Sequence, residues 1–404
     1  MQRIFDGQGK AISGQDSIGN NAEGKKGIVM EKEAPIRILH VLGNTNLGGA
    51  ESRTMDLYRH IDRKRVQFDF LVHTGQEGHF DKEIQELGGR IYRVPRFRIY
   101  NYFSYVSALK KFFWNHHEYK AVQGHMTSTA SIYLPIAKKA GVPVTIAHAR
   151  SAGVDKGIKG MATRWLRRSL PDKTDYMFTC SRLAGISVFG EKAVREEKTV
   201  FMPNAIDCGK FIYDTKVRER IRNDLGLENQ YVIGHVGRFH YAKNHEYLLQ
   251  IFAVLCKNTN TDYFLLLLGE GERMEEMKEL AKNLDIADRV CFAGNKNNAC
   301  DYYQAMDYFV YPSRYEGLPG TVLEAQVSGL RCLMSDSICE EVEVTELVHT
   351  MSIKDSPESW AEYIEKTKEY DRMGYWKEVS AAGFDVVSQA EKMMKFYETG
   401  LLMR

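Results

Sequence analysis

From residue 36 onward, short apolar runs alternate with longer stretches in which apolar residues recur every three or four positions. The runs at 36–42, 68–72, 90–94, 121–123 and 144–147 read as strands, and the stretches at 50–60, 80–87, 102–117 and 127–139 read as helices. Two further strands are expected at 176–180 and 199–202. In 102–117, Val106, Leu109 and Phe113 recur at helical spacing, so the aromatic residues there read as core. Such alternation implies a parallel sheet covered on both faces.

A composition break follows at 203–230, where Pro-Asn-Ala-Ile-Asp leads into a charged stretch, and the alternation then restarts. Strands are expected at 231–236, 263–268, 289–292, 308–311 and 331–334, with helices at 246–256, 273–283, 299–305 and 321–328. Ser356 and Pro357 form a cap and first-turn pair for another helix. The tail carries an apolar stripe at Val386, Ala390, Met393 and Tyr397. The fold class expected is α/β, with two Rossmann-like, doubly wound parallel-sheet domains at 35–205 and 231–385. A linker at 206–230 joins them, and a helix within 386–404 returns toward the first. Residues 1–34, rich in Gly, Asn, Gln and Lys without periodicity, are expected to be a disordered leader.

Composition narrows the class. A chain of 404 residues exceeds one ordinary domain, and 44% hydrophobic with 27% charged residues fits a globular protein. Lys+Arg 55 against Asp+Glu 53 gives no global reason to expect a nucleic-acid partner. The seven cysteines show no C-x-x-C and no zinc-type spacing, which suits reduced thiols, and no Asp-x-Asp offers a metal site. The fully apolar run 264–268 is too short to span a bilayer, and no secretory segment follows Met1. A cytoplasmic location is expected, and the oligomeric state stays open.

Doubly wound sheets bind ligands at the carboxyl ends of their strands, so the strand-to-helix loops are read first. After the first strand, Gly48, Gly49, Ala50 and Glu51 lead into a helix, where small residues let a phosphate approach free amides. A plain helix start is the alternative, and the G-x-G-x-x-G of dinucleotide-binding dehydrogenases is absent. After the first strand of the second half come Gly237 and Arg238, then Lys243. Two cations in one loop suit a diphosphate, or are simply solvated. The most specific segment is Glu316-Gly317-Leu318-Pro319-Gly320-Thr321, followed by Glu324. It places one carboxylate in a loop, another inside a helix, and free amides at Gly320 and Thr321 between them. Carboxylates suit sugar hydroxyls and amides suit phosphate, so the layout fits a nucleotide sugar.

In this order the motifs resemble glycosyltransferase family four, the retaining enzymes of the GT-B fold, in which the two domains face each other across a cleft. The resemblance runs from about residue 36 to the C-terminus and adds Gln123-Gly-His125, Pro203-Asn-Ala-Ile-Asp207 and Gly269-Glu-Gly271 to the segments above. It is nearest to the bacterial branch that builds exopolysaccharide and capsule. It implies that Arg238 and Lys243 neutralise the leaving diphosphate, that Glu324 holds the ribose, and that Glu316 holds the donor sugar. It also implies that Gly49 sits against the phosphates and that His125 faces the sugar. His148 and Arg150 become acceptor-side candidates, although relatives often carry a second His near Arg150. The implied donor is a nucleotide diphosphate sugar, by family habit a UDP-sugar, with no obligatory cofactor or metal.

The acceptor expected is a lipid-linked saccharide at the inner face of the membrane. Within 156–170, Met161, Ala162, Trp165 and Leu166 share one helical face, with Arg164, Arg167 and Arg168 opposite. A basic amphipathic helix of this kind suits an anionic leaflet, and equally a surface helix packing its Trp inward. Three other activities stay open: a nucleotide-sugar-binding protein without transfer, a GT-B epimerase, and a glycosidase. The last leaves the Arg/Lys loop without a task.

Overall fold

A computed structural model describes residues 34–150 and 157–400. The segment expected as a leader lies, but for Ala34, outside the described residues. Strands β1 (Ile36–Leu42), β2 (Val66–Val72), β3 (Ile91–Arg93), β4 (Tyr119–Gly124), β5 (Val144–Ala149), β6 (Tyr176–Thr179) and β7 (Thr199–Phe201) build the first sheet. Its order is β3-β2-β1-β4-β5-β6-β7, and every neighbouring pair is parallel. Strands β8 (Tyr231–Val236), β9 (Tyr263–Leu268), β10 (Val290–Gly294), β11 (Tyr308–Tyr311), β12 (Arg331–Ser335) and β13 (Val348–Met351) build the second. That sheet runs β10-β9-β8-β11-β12-β13, again wholly parallel.

The strands are parallel because the connections, apart from the one through the short turn Glu340–Val342 before β13, carry helices that cross back over the sheet, and such sheets must be covered on both faces. All seven residues of β2 are accordingly buried. The first sheet has one core on each face, around Leu109, Phe113 and Tyr133 on one and around Phe68, Phe70 and Tyr397 on the other. The second has the same arrangement around Phe309 and Leu323, and around Phe252 and Trp360. In both sheets the winding reverses between the first and fourth strands, β1 and β4 in one and β8 and β11 in the other. The carboxyl ends of those pairs are the crevices where this class of sheet takes its ligand.

The segment 206–230 is not free chain. It carries short helix Cys208–Phe211 and the helix Thr215–Leu225, capped by the Asp214 side chain, which accepts from the amides of Lys216 and Val217. Arg218 and Arg222 both bind Asp307, at 2.5 and 3.0 Å, which fastens this helix beside the second sheet. Its charges read as a solvated linker only because their partners lie about 85 residues away. The final helix, Val386–Thr399, packs on the first sheet through Val386, Ala390, Met393 and Tyr397. Where the chain passes between the sheets, its two crossings run side by side. The Ile206 amide donates to the Phe384 carbonyl and the Val386 amide to the Ile206 carbonyl, each at 2.8 Å.

Candidate active site

At the second sheet's crevice, β8 ends and the chain turns through Gly237 and Arg238 into a tight turn at Tyr241–Lys243. Asn244 adopts a left-handed conformation at φ 58° and starts the helix His245–Asn258. Its side-chain amide donates to the Pro312 carbonyl at 3.1 Å, tying this loop to the one after β11. The Lys243 ammonium lies 2.6 Å from a Glu316 carboxylate oxygen. It also donates to the Tyr311 hydroxyl and sits over that ring, 4.8 Å from its centroid. Burial works to lower the pKa of Lys243, but Tyr311 and Glu316 outweigh it and the net shift is upward. Arg238 stands apart: its side chain is 72% exposed and is held by Glu272 at 3.2 Å. The structure thus joins Lys243 to Glu316 and leaves Arg238 at the rim.

The helix Gly320–Val327 begins at Pro319 with no side chain capping it, which leaves its first amides for an anion. Leu318 packs into the core below, anchoring the loop that carries Glu316 and Gly317. Glu324 points toward the first sheet. One of its carboxylate oxygens accepts from Arg53 Nη2 and the other from the Tyr303 hydroxyl, both at 2.8 Å. Arg53 lies four residues after Gly49 on the helix Gly49–His60, so this ion pair bridges the two sheets. Its guanidinium packs against Gly320, where a Cβ would stand 3.2 Å from Nη2. Around Gly49 there is open space, whereas a Cβ at Gly48 would run into the Glu51 carboxylate.

His125 immediately follows β4, at the first sheet's crevice. Both its ring nitrogens are engaged. Arg150 Nε donates to Nδ1 at 3.2 Å, so Nε2 carries the proton and gives it to His40 Nδ1 at 3.0 Å. Desolvation, then the Arg150 charge, pushes the pKa of His125 well below its usual value. His40 is pushed down to about 3 by burial and Arg150. Arg150 is itself lowered to about 10 by burial, and its Nη1 donates to the Asn204 side chain at 2.8 Å. His148 does not reach the crevice. It is fully buried, with Nδ1 taking the Gln123 amide at 2.9 Å and Nε2 donating to the Met202 carbonyl at 3.2 Å. That leaves neither ring nitrogen free, and although its ring lies 5.4 Å from that of His125, Arg150 alone of the acceptor-side pair hydrogen-bonds to His125.

Sequence reasoning missed Arg53, Tyr303, Tyr311 and His40. Tyr311 had a signal, being a polar-tipped aromatic at the carboxyl end of a crevice strand. Arg53 had a weaker one, since residues four apart share a helix face and Gly49 was already singled out. Tyr303 and His40 carry none, because their roles depend on partners far away in sequence.

The arrangement can place one cation, two carboxylates and an uncapped helix start around one elongated polar ligand. The family models of the glycosyl transferase 4-like domain and of glycosyl transferases group 1 match residues 48–205 and 217–374. Over 369 residues, 89% of this chain and 96% of the other, the sequence is 32% identical to the glycosyltransferase EpsF of Bacillus subtilis (strain 168). The chain belongs to glycosyltransferase family four. This family-four protein is also 24% identical to the capsular polysaccharide biosynthesis glycosyltransferase CapH of Staphylococcus aureus, covering 82% of this chain and 90% of CapH. It is 28% identical to an Escherichia coli UDP-Gal:alpha-D-GlcNAc-diphosphoundecaprenol alpha-1,3-galactosyltransferase, over 54% of this chain and 58% of that one. Anabaena HepE, solved in complex with UDP, superposes with a TM-score of 0.73 at 16% identity, covering 90% of this chain and 100% of that one. The transferase therefore has the GT-B fold. No helix among the described residues is long and apolar enough to cross a membrane.

Proposed function

We propose that the protein moves a sugar from a nucleotide diphosphate sugar, a UDP-sugar, to a hydroxyl of a lipid-linked glycan during exopolysaccharide or capsule synthesis. The anomeric configuration is retained and no metal is obligatory. The observation that carries this reading is the meeting of Lys243 with Glu316 beside the open start of the helix Gly320–Val327. The second domain takes the donor and the first takes the acceptor. The HepE complex and the diphosphoundecaprenol substrate in the Escherichia coli enzyme's name support the two halves of the assignment.

The barrier is the separation of a diphosphate from an oxocarbenium-like sugar. The acceptor oxygen bonds to the anomeric carbon, the bond from that carbon to the diphosphate breaks, and the hydroxyl proton leaves with the diphosphate. Lys243, and Arg238 once released from Glu272, stabilise the negative charge that grows on the diphosphate, together with the amides of Gly320 and Thr321. Glu316 holds the sugar hydroxyls, and Glu324 takes the ribose diol in exchange for Arg53. His125 stays neutral, with Nδ1 held by Arg150 and Nε2 by His40, so it does not take up the acceptor proton.

Peripheral binding to the membrane is part of this proposal. Trp165 is 75% exposed and Phe103 86%, with Ile99, Tyr100 and Met161 also open to solvent. Trp165 thus turns outward rather than into the core, the orientation an interfacial helix needs. Incubation with candidate UDP-sugars in EDTA, followed by product analysis, tests the whole assignment. Transfer yields UDP and a glycoside; a new nucleotide sugar would make the protein an epimerase, and binding without turnover a sensor.

A further inference from the structure

We propose that Tyr311 is a positioning residue for Lys243, its hydroxyl pinning the ammonium so that the charge is aimed at the donor's diphosphate before the donor arrives. The inference deepens the donor-side reading and rests on it.

Tyr311 is the last residue of β11, one of the two strands at the crevice, and has no exposed surface. Its ring is stacked on His235 of β8, with centroids 5.2 Å apart at 21°, and on Phe309 two residues back, 5.8 Å away at 17°. His235 is itself fixed, because its Nδ1 donates to the Val310 carbonyl at 2.9 Å. A ring packed in this way keeps one rotamer, so the phenol oxygen is a stationary point. Lys243 is the opposite case, a compact charge on a flexible four-carbon stem. The stem passes over the bare side of Gly237, where a Cβ would stand 3.3 Å from both Cδ and Cε. Beyond it the ammonium donates to the Tyr311 hydroxyl and lies 4.8 Å from the ring centroid.

Glu316 holds the same ammonium but cannot fix it during the reaction. Its side chain is 19% exposed, and it is the partner that sugar hydroxyls take over. Tyr311 is shielded from any ligand by its burial, so its contact persists when Glu316 lets go. An ammonium has three N–H donors and no acceptor. One goes to Tyr311, and one meets Glu316 at 2.6 Å in the free crevice. Once Glu316 turns to the sugar, two are left for phosphate oxygens. A charge held in this way stabilises a growing anion without rearranging at the moment of reaction. A core tyrosine whose hydroxyl merely found a partner would look alike in the free state. The two roles separate when Lys243 is removed.

The test is a double-mutant cycle, read by calorimetric titration of the full chain with UDP and with uridine, which lacks the diphosphate. Lys243→Ala should weaken UDP by about tenfold or more. Tyr311→Phe keeps the ring and its stacking, and should weaken UDP by about fivefold. In the Lys243→Ala background the same change should cost less than about twofold, because the group it acts through is gone. Uridine should bind all four chains within about twofold, which also shows that each is folded. A packing defect would instead cost as much without Lys243 as with it, and would weaken uridine too. UDP affinity unchanged or tighter in Tyr311→Phe, or losses that add in the double variant, would overturn the proposal while leaving the donor reading intact. A parent chain that binds no UDP would sink that reading, and this proposal with it.

Discussion

Glu324 is already occupied before any donor arrives, and removing its occupant should tighten nucleoside binding. Arg53 and Tyr303 each give one hydrogen bond to its carboxylate. A ribose diol that bridges both oxygens of that carboxylate meets Arg53 on one of them. A hydrogen bond to a charged group is worth about 1.5–3 kcal/mol net. The lower end applies here, because the Arg53 side chain is 20% exposed and retains Asp56 at 3.1 Å as a second partner. Donor binding therefore forgoes about 1.5 kcal/mol, which corresponds to about tenfold in Kd. Arg53→Ala should return that factor. Because Arg53 also lies near Gly320, it can contribute charge toward a bound diphosphate, so the clean ligand is uridine. Titration calorimetry should show uridine binding about tenfold tighter to Arg53→Ala than to the parent, with a smaller gain for UDP. The melting temperature of the free variant should fall, since Glu324 loses an ionic partner in a nearly buried site. Uridine affinity that is unchanged or weaker in a folded variant refutes the exchange and frees Glu324 from the ribose assignment.

Lys243→Ala should lower kcat/KM for the donor by about a hundredfold, the loss of one fixed charge aimed at the leaving group, whereas Arg238→Ala should cost less because Arg238 starts at the rim. Turnover within threefold of the parent in Lys243→Ala removes that role. Stability should fall as pH drops from about 7 to 5. His125 and His148 are held neutral well below the usual imidazole range and His40 at about 3, so below pH ~6.5 the unfolded chain binds more protons than the folded one. Each such imidazole then withdraws about 2 kcal/mol by pH 5, and a melting temperature flat across that interval contradicts the burial argument. Gly269 has φ 130°, and a Cβ there would lie 2.2 Å from the Gly237 carbonyl oxygen. Gly269→Ala should therefore displace the Gly237–Lys243 loop, lowering both the melting temperature, by the equivalent of about 2 kcal/mol or more, and the UDP affinity.

The doubly wound architecture was legible because buried parallel strands announce themselves as apolar runs, as Phe264–Leu268 does within β9. The edge strand β13 was not, because Val-His-Thr-Met pairs with β12 alone and is only partly buried, so neither face forces a pattern. The helix Thr215–Leu225 was hidden for a related reason: Arg218 and Arg222 look solvated until Asp307 is brought beside them. His148 went wrong in the other direction. Local sequence put it two residues before Arg150, on the same side of the chain by alternation, but Gln123 on β4 and the Met202 carbonyl hold both of its ring nitrogens in the core.

A pattern follows from the partners found in the crevice. Every charged side chain assigned to the donor already holds an ion of opposite sign: Lys243 with Glu316, Glu324 with Arg53, Arg238 with Glu272. A cluster of bare cations would bind any polyphosphate, and would repel itself in the free state. The paired arrangement balances the donor-side charges and makes binding an exchange. A diphosphate that draws on Lys243 strands Glu316 unless sugar hydroxyls arrive to take it, and stranding a half-buried carboxylate is costly. The intact nucleotide sugar compensates both halves of the Lys243–Glu316 pair at once, whereas inorganic diphosphate or a free sugar compensates one. On the proposed donor assignment, selectivity for the whole nucleotide sugar follows from the partners its fragments leave unsatisfied, and not from the number of contacts the crevice offers.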